Sequence, residues 1–172
     1  MQTSQSGTPM AVRRSVTVPL DPARAFDLFT ARMDAYWPPE HHIGAAELDR
    51  VVVEPHAGGR WYERGVDGTE CQWGRVAVWD PPGRLVLIWQ LDTEWRFDPD
   101  LETELEMSFV EESPGRTTVR LEHRNLERYG DQAEAMRAAF ESPDAWEGIL
   151  ARYVGSAEHD AENHAERDSA GE

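Results

Sequence analysis

Apolar and polar residues alternate along most of the middle of the chain, which is typical of β-strands that bury one face. Asp-Gly and Pro-Gly pairs stand between several of these segments, and such pairs favour the tight turns of β-hairpins. The pattern predicts a first strand and, after a gap, six further strands in an antiparallel meander. These strands cover residues 12–18, 48–54, 60–65, 70–79, 85–91, 102–111 and 117–126.

Two other segments show the three- and four-residue spacing of amphipathic helices. The first predicted helix covers residues 22–35 and ends before a pair of prolines. The second helical region covers residues 131–155 and is divided at Pro143. Its last part has a dense apolar stripe, which consists of Trp146, Ile149, Leu150, Tyr153 and Val154.

The order of these elements predicts an α+β fold of the helix-grip type. A curved antiparallel sheet of about seven strands would wrap around a long C-terminal helix, with one or two short helices after the first strand. We expect this arrangement to leave a cavity between the sheet and the C-terminal helix.

The two ends of the chain differ in composition from the rest. Residues 1–10 are small and polar, and residues 156–172 contain six acidic residues but no aromatic or large aliphatic side chain. Such segments bury too little apolar surface to offset the entropy lost on ordering. We therefore expect one domain, residues 11–155, between two disordered tails.

The charge of the chain excludes several classes of partner. The 172 residues include 33 acidic and 17 basic ones, for a net charge of -16, and every basic residue is an arginine. Lysine nucleophiles and Schiff bases are thereby excluded. Because phosphate backbones and anionic lipids repel an acidic protein, we expect neither a nucleic acid nor a membrane as partner.

The sequence also favours a cytoplasmic location. The single cysteine, Cys71, has no partner for an internal disulfide, and no apolar run is long enough to span a membrane. No secretory leader is evident at the N-terminus.

Seven tryptophans are many for a chain of this length. Aromatic side chains that face a cavity offer a large apolar surface to flat ligands, although the same residues could simply fill the core. The residues predicted to give a ligand apolar contacts are Trp61, Trp73, Trp89, Met107, Trp146 and Leu150.

Three polar residues share the phase of neighbours predicted to face inward. His123 has the phase of the apolar positions in its strand, Glu63 has that of Trp61, and Arg75 has that of Trp73. An inward histidine or carboxylate could bind a ligand or transfer a proton, and the arginine could pair with the carboxylate. The alternatives are a histidine with a structural hydrogen bond, and outward Glu and Arg side chains in cross-strand ion pairs.

We expect neither a metal nor a cofactor. His41 and His42 are adjacent and would point apart in a strand, and His159 and His164 lie in the acidic C-terminal segment. The sequence lacks the glycine-rich, nucleophile and zinc-binding motifs of common enzyme classes. Cys71 is interpreted as a small buried residue.

Several motifs resemble one known family. The motifs are GGRWYERG at residues 58–65, WGRV at 73–76 and TVRLEHR at 118–124. They resemble the bacterial single-domain branch of the homologues of the heat-shock-protein-90 ATPase activator (Aha). That family belongs to the START-like, or SRPBCC, superfamily of ligand-binding proteins, which also contains birch-pollen-allergen-like proteins and polyketide cyclases. The resemblance covers residues 12–155 and implies the same helix-grip fold.

The resemblance leaves three functions open, because this superfamily places many tasks on one scaffold. We favour a cofactor-free protein that binds a small apolar or aromatic ligand in the cavity. The first alternative is a cyclase-like or hydrolase-like enzyme that uses His123 or Glu63 for proton transfer. The second is a protein-interaction module. A homodimer is compatible with the sequence, but we do not expect a chaperone partner, because the eukaryotic co-chaperones also use a separate N-terminal domain.

Overall fold

The computed structural model describes residues 10–170, and the predicted N-terminal tail thus lies almost entirely outside the described residues. Seven strands precede a long C-terminal helix, and two short helices follow the first strand. The strands are β1 (Ala11–Val18), β2 (Leu48–Val53), β3 (Arg60–Gly65), β4 (Glu70–Asp80), β5 (Arg84–Trp89), β6 (Thr103–Ser113) and β7 (Arg116–Arg124). The α-helices are α1 (Pro22–Thr30), α2 (Met33–Tyr36), α3 (Ala133–Glu141) and α4 (Gly148–Ala170). A 3₁₀ segment, Leu126–Gln132, precedes α3, and a π-helical turn, Pro143–Glu147, joins α3 to α4.

All seven strands form one antiparallel sheet in the order β1-β7-β6-β5-β4-β3-β2. The strands from β2 to β7 pair with their successors in the chain, which confirms the predicted meander. The first strand pairs with the last, so that Val12 lies opposite His123 and Val16 opposite Val119.

The long helix α4 packs on the concave face of the sheet together with α1 and α2. Tyr153 of α4 contacts the rings of Phe29 and Tyr36 at centroid distances of 5.6 and 5.2 Å, and its hydroxyl donates a hydrogen bond to the carbonyl of Ala25. Burial raises the pKa of Tyr153 well above its ordinary value. The predicted helix-grip fold is confirmed.

The helix predicted for residues 22–35 is divided in two. The Asp21 side chain caps the first part by accepting a hydrogen bond from the backbone N–H of Arg24. Arg32 has non-helical backbone angles, and after it the Tyr36 hydroxyl donates to the carbonyl of Phe29 at 2.9 Å. The break thus lets the second part fold back and satisfy a carbonyl at the end of the first.

Helix α4 extends beyond the boundary predicted at residue 155. Ala157 is fully buried, and Asp160 pairs with Arg32. The helix therefore continues past the predicted boundary at residue 155, and Ala157 and Asp160 connect its continuation to the rest of the domain. Within the described chain, no helix is long and apolar enough to cross a membrane.

Candidate functional site

A cavity of about 480 Å³ opens at the end of the sheet where α3 meets α4. Three walls surround it: the loop after α2, the end of β5 with the loop that follows it, and the α3–α4 junction. Its aromatic lining consists of Trp37, Trp73, Trp89, Trp95, Phe140 and Trp146.

The aromatic residues contact one another in a continuous set. Trp37 lies against Trp73 with a centroid distance of 4.9 Å, and Trp89 contacts Phe140 and Trp146 edge to face at 5.6 and 5.8 Å. These contacts restrict the rotation of each ring, because a neighbouring ring packed edge to face leaves no space for it to turn. The cavity therefore has firm, largely apolar walls.

Trp95 stands at the mouth of the cavity and is 45% exposed. It has a positive φ of 62°, a conformation that is costly for a residue with a side chain. Asp92 holds the loop in this shape: its carbonyl accepts from the N–H of Trp95, and its side chain accepts from the N–H groups of Glu94 and Arg96. The loop thus presents an exposed indole to the opening.

Three residues predicted to line the cavity lie beneath it instead. Trp61 is fully buried, packs against Trp73 and Trp89 at 5.5 and 5.6 Å, and donates its indole N–H toward the Met33 sulfur. Met107 and Leu150 are also buried in the core and do not reach the cavity wall. The other three apolar predictions, Trp73, Trp89 and Trp146, do line the cavity.

His123 faces inward, as its strand phase predicts, but both of its ring nitrogens are occupied. Trp146 Nε1 can only donate, so Nδ1 of His123 accepts its hydrogen bond at 3.1 Å, and Nε2 must carry the proton. That Nε2–H donates to Thr103 Oγ1 at 2.9 Å, and the Thr103 hydroxyl donates to the carbonyl of Trp89. Burial lowers the pKa of His123 to about 3. The histidine is therefore a neutral structural link between β7, β6, β5 and the π-helical turn that precedes α4.

Glu63 also faces inward and is 1% exposed. Its Oε1 accepts hydrogen bonds from the N–H of Ile43 at 2.6 Å and from Trp73 Nε1 at 2.9 Å, and its Oε2 accepts from the N–H of Gly44 at 3.0 Å. Three donors therefore surround this carboxylate. It ties the loop after α2 to the indole of Trp73, and so fixes two parts of the cavity wall relative to each other.

One known protein family matches most of the chain. The model of the family described as "Activator of Hsp90 ATPase homolog 1-like protein" matches residues 19–151, from the end of the first strand to the start of α4. The chain belongs to this family. The matched part contains every residue of the cavity wall. No curated protein matches the sequence.

Two solved structures are identical to this chain at about a third of the aligned positions. One, described as an anthrahydroquino-γ-pyrone synthase, Txn09, complexed with SUM, is 38% identical over 84% of this chain and 95% of that chain, with a TM-score of 0.61. The other is CalC from Micromonospora echinospora, described as a self-sacrificing resistance protein, which is 31% identical over 87% of this chain and 95% of that chain, with a TM-score of 0.67. An Aha1 dimer from Colwellia psychrerythraea is 14% identical over 87% of this chain and 96% of that chain, and with a TM-score of 0.56 it shares the fold.

Arg75 does not face the cavity, contrary to the prediction. The pairing of β3 with β4 slips by one residue next to Trp61, which leaves Trp73 as the extra residue of a β-bulge. Trp73 keeps its inward direction, but Arg75 moves to the outer face, where it pairs with Glu102. Of the two alternatives for Arg75, the structure has the outward one, with an ion pair to Glu102 and none to Glu63 among the described residues.

The sequence missed the parts of the wall that come from loops and from α3. Trp37 and the segment 40–43 follow α2, and Trp95 lies in the connection between β5 and β6. Phe140 lies within the predicted helical region 131–155 and is not among the residues predicted to contact a ligand. The available signal was a tryptophan in an otherwise acidic, irregular connection, since a large apolar residue in a loop commonly contacts a partner or a cavity.

His41 and His42 both line the cavity, a position that could not be predicted from the sequence. The carbonyl of Gly44 is 2.8 Å from Nδ1 of His42. Among the described residues, no group of three or more His, Cys, Asp or Glu side chains is arranged to hold a metal ion.

A pH titration of stability tests the structural role of His123. Because its pKa is about 3 in the folded protein and its ordinary value is 6.5, only the unfolded chain binds this proton between those pH values. The free energy of unfolding of the wild type should therefore fall toward acid by about 1.4 kcal/mol per pH unit from this one site. His123→Gln removes that contribution, and carboxylates titrate alike in both proteins. Parallel curves of unfolding free energy against pH for the two proteins would contradict this role.

Proposed function

We propose that this protein binds a flat, polycyclic aromatic small molecule, of the kind formed as an aromatic polyketide, in the cavity between the sheet and the α3–α4 junction. The observation that carries the proposal is an open cavity of about 480 Å³ that is lined by six aromatic side chains. That volume lies within the range of about 300–1,000 Å³ that small-molecule sites occupy.

The shape of the lining favours a planar ligand. Trp89 contacts Phe140 and Trp146 edge to face, and Trp37 contacts both Trp73 and Trp146. Aromatic faces and edges attract a flat ring system through offset and edge-to-face contacts as well as through burial. The polar groups of the wall lie chiefly in the loop after α2 and next to Pro143, so a ligand would meet polar atoms only at part of its edge.

The related structures support the same class of ligand. The synthase that shares 38% identity is named for an anthrahydroquinone-derived γ-pyrone, which is a fused aromatic system. The resistance protein that shares 31% identity shows that a second task occurs among relatives of similar sequence. A shared scaffold does not transfer an activity, so we assign the ligand class and not either reaction.

Conversion of the bound ligand is the second candidate function. It is favoured by the ionisable residues of the wall, which are Glu40, His41, His42 and Asp144, and by the identity with the synthase. His123 and Glu63 are not proposed as its proton-transfer groups, because hydrogen bonds inside the protein occupy His123 and Glu63, and neither lines the cavity. The homodimer and the absence of a chaperone partner stay predictions from the sequence.

Titration of tryptophan fluorescence with 2-hydroxyanthraquinone tests the proposal. Because the cavity is lined by tryptophans, binding should quench emission with saturation at one site, and we expect a Kd below about 100 µM for a rigid ligand of this size. Quenching that rises linearly, as it does for free N-acetyltryptophanamide in the same titration, would contradict binding. Mass spectrometry of the recovered ligand then distinguishes binding alone from conversion.

A substitution on α3 should narrow the cavity without disturbing the core. Ala139 lines the mouth and is exposed, so Ala139→Trp adds bulk there at little cost to folding. We expect the Kd for 2-hydroxyanthraquinone to rise by about tenfold, since an overfilled site costs more than about 1 kcal/mol. Ala138→Trp is the matched control, because Ala138 is exposed on the same helix and does not line the cavity. Equal effects of the two variants would place the ligand elsewhere.

A further inference from the structure

A backbone hydrogen bond sets the tautomer of His42 in the cavity wall. The carbonyl oxygen of Gly44 can only accept a hydrogen bond, so the proton between it and His42 belongs to Nδ1. A neutral imidazole with its proton on Nδ1 has a free lone pair on Nε2. In the described part of the chain, no hydrogen bond involves Nε2 of His42.

The buried carboxylate of Glu63 holds the segment that carries His42. Glu63 accepts hydrogen bonds from the N–H groups of Ile43 and Gly44, and it is itself buried. A side chain at residue 44 would meet the Cys71 sulfur and a Glu63 oxygen at 3.1 Å, so a glycine suits this close approach. The Gly44 carbonyl therefore stays next to the imidazole, and its hydrogen bond with Nδ1 sets the tautomer of His42.

His123 shows the opposite arrangement in the same protein. Its Nδ1 accepts from Trp146, and its Nε2 carries the proton and donates to Thr103 inside the core. His42 instead is half-buried, lines the cavity and donates through Nδ1. The two tautomers give each histidine a different spectroscopic signature.

We propose that Nε2 of His42 is the proton acceptor for a hydroxyl group of the bound aromatic ligand. This inference rests on the proposed function, because it names the group that recognises the polar edge of the ligand. In the transfer, the O–H bond of the ligand breaks and its electron pair stays on oxygen. The proton bonds to Nε2, and the resulting imidazolium keeps its Nδ1–H bond to Gly44. Release of the ligand returns the proton, so no oxidant, reductant or other reactant is needed.

The other ionisable residues of the wall are Glu40, His41 and Asp144. Neither carboxylate would lower the free energy of a phenolate, because like charges repel. A hydroxyl that loses its proton in this cavity therefore depends on a base within hydrogen-bond reach, and of the two wall histidines His42 is the one whose Nδ1 is engaged with a backbone carbonyl.

Absorbance of 2-hydroxyanthraquinone measures the transfer directly, because the phenol and the phenolate of this dye have different colours. At a pH where the free dye is mostly neutral, we expect dye bound to the wild type to show the phenolate spectrum. His42→Asn keeps a donor for Gly44 but lacks the Nε2 acceptor. In this variant the ratio of phenolate to phenol in the saturated complex should fall at least about tenfold, the effect expected for a hydrogen bond to a charged group.

His56→Asn is the matched control. His56 also has Nδ1 next to a backbone carbonyl, that of Ala57 at 3.1 Å, but it is exposed and lies outside the cavity wall. This variant should keep the wild-type spectrum of the bound dye. Unsubstituted anthraquinone, which has no hydroxyl group, should bind the wild type and His42→Asn with similar Kd values.

The outcomes separate this inference from the proposed function. If neither dye binds, the proposed function fails. If both dyes bind but the hydroxylated dye stays neutral, or if His42→Asn leaves the phenolate spectrum unchanged, the role of His42 is overturned while ligand binding stands. Nitrogen NMR of the wild type adds a test that needs no variant, because a neutral His42 protonated on Nε2 would also overturn the inference.

Discussion

Replacing Glu63 with alanine should lower the free energy of unfolding by about 3–5 kcal/mol, although the residue lies in a strand and is not part of an ion pair. The carboxylate accepts hydrogen bonds from the N–H groups of Ile43 and Gly44 and from the indole of Trp73. Its removal leaves three buried donors without an acceptor, and each unsatisfied donor costs about 1–3 kcal/mol before the structure relaxes. Urea denaturation of the two proteins measures the difference.

Glu102→Ala is the control for this prediction. The Glu102 side chain is 43% exposed and pairs with Arg75 on the outer face of the sheet, so its loss should cost less than about 1 kcal/mol. The contrast matters because both glutamates fall in strands predicted from the sequence, 60–65 and 102–111. Similar losses for Glu63→Ala and Glu102→Ala would show that the carboxylate does not hold the loop after α2.

Replacing Trp95 with alanine should raise the Kd for 2-hydroxyanthraquinone by about 10- to 100-fold, which corresponds to the loss of one aromatic stacking partner. Trp95 lines the mouth and is 45% exposed, so its truncation removes contact with the ligand and little of the core. Isothermal calorimetry gives the Kd, and the unfolding free energy should stay within about 1 kcal/mol of the wild type.

Phe97 provides the matched substitution in the same loop. Its side chain is 36% exposed and does not line the cavity, so Phe97→Ala should leave the Kd almost unchanged. A large loss of affinity in both variants would mean that the loop as a whole, and not the indole of Trp95, supports the site.

The strands and their order could be predicted because the signals are local. Alternation and turn residues determine each hairpin, and successive hairpins lead to a meander. The inward directions of His123 and Glu63 followed from the same alternation. Their functional interpretation did not, because alternation shows which face a side chain is on but not whether its hydrogen bonds are already satisfied by other residues.

The errors arise where a non-local or irregular feature decides the outcome. Arg75 was misplaced because the bulge at Trp73 reverses the phase of β4 after that residue. Composition also does not reveal the contacts made by α4 beyond residue 155, where Ala157 is buried and Asp160 pairs with Arg32.

The cavity itself could be predicted only in part. Trp73, Trp89 and Trp146 fall in segments predicted as strands or helix, so their phase pointed to the interior. Trp37 and Trp95 come from loops that are far apart in sequence and meet only in the folded chain. Such loops have no periodicity from which a direction could be inferred.

A crystal structure of the protein with 2-hydroxyanthraquinone tests the central claim most directly. We predict density for a planar ring system in the cavity, in contact with Trp89 and Trp146, with Trp95 over the opening and the hydroxyl oxygen within hydrogen-bond distance of His42 Nε2. An empty cavity in crystals grown at a saturating dye concentration, or dye bound only on the outer face of the sheet, would contradict the account.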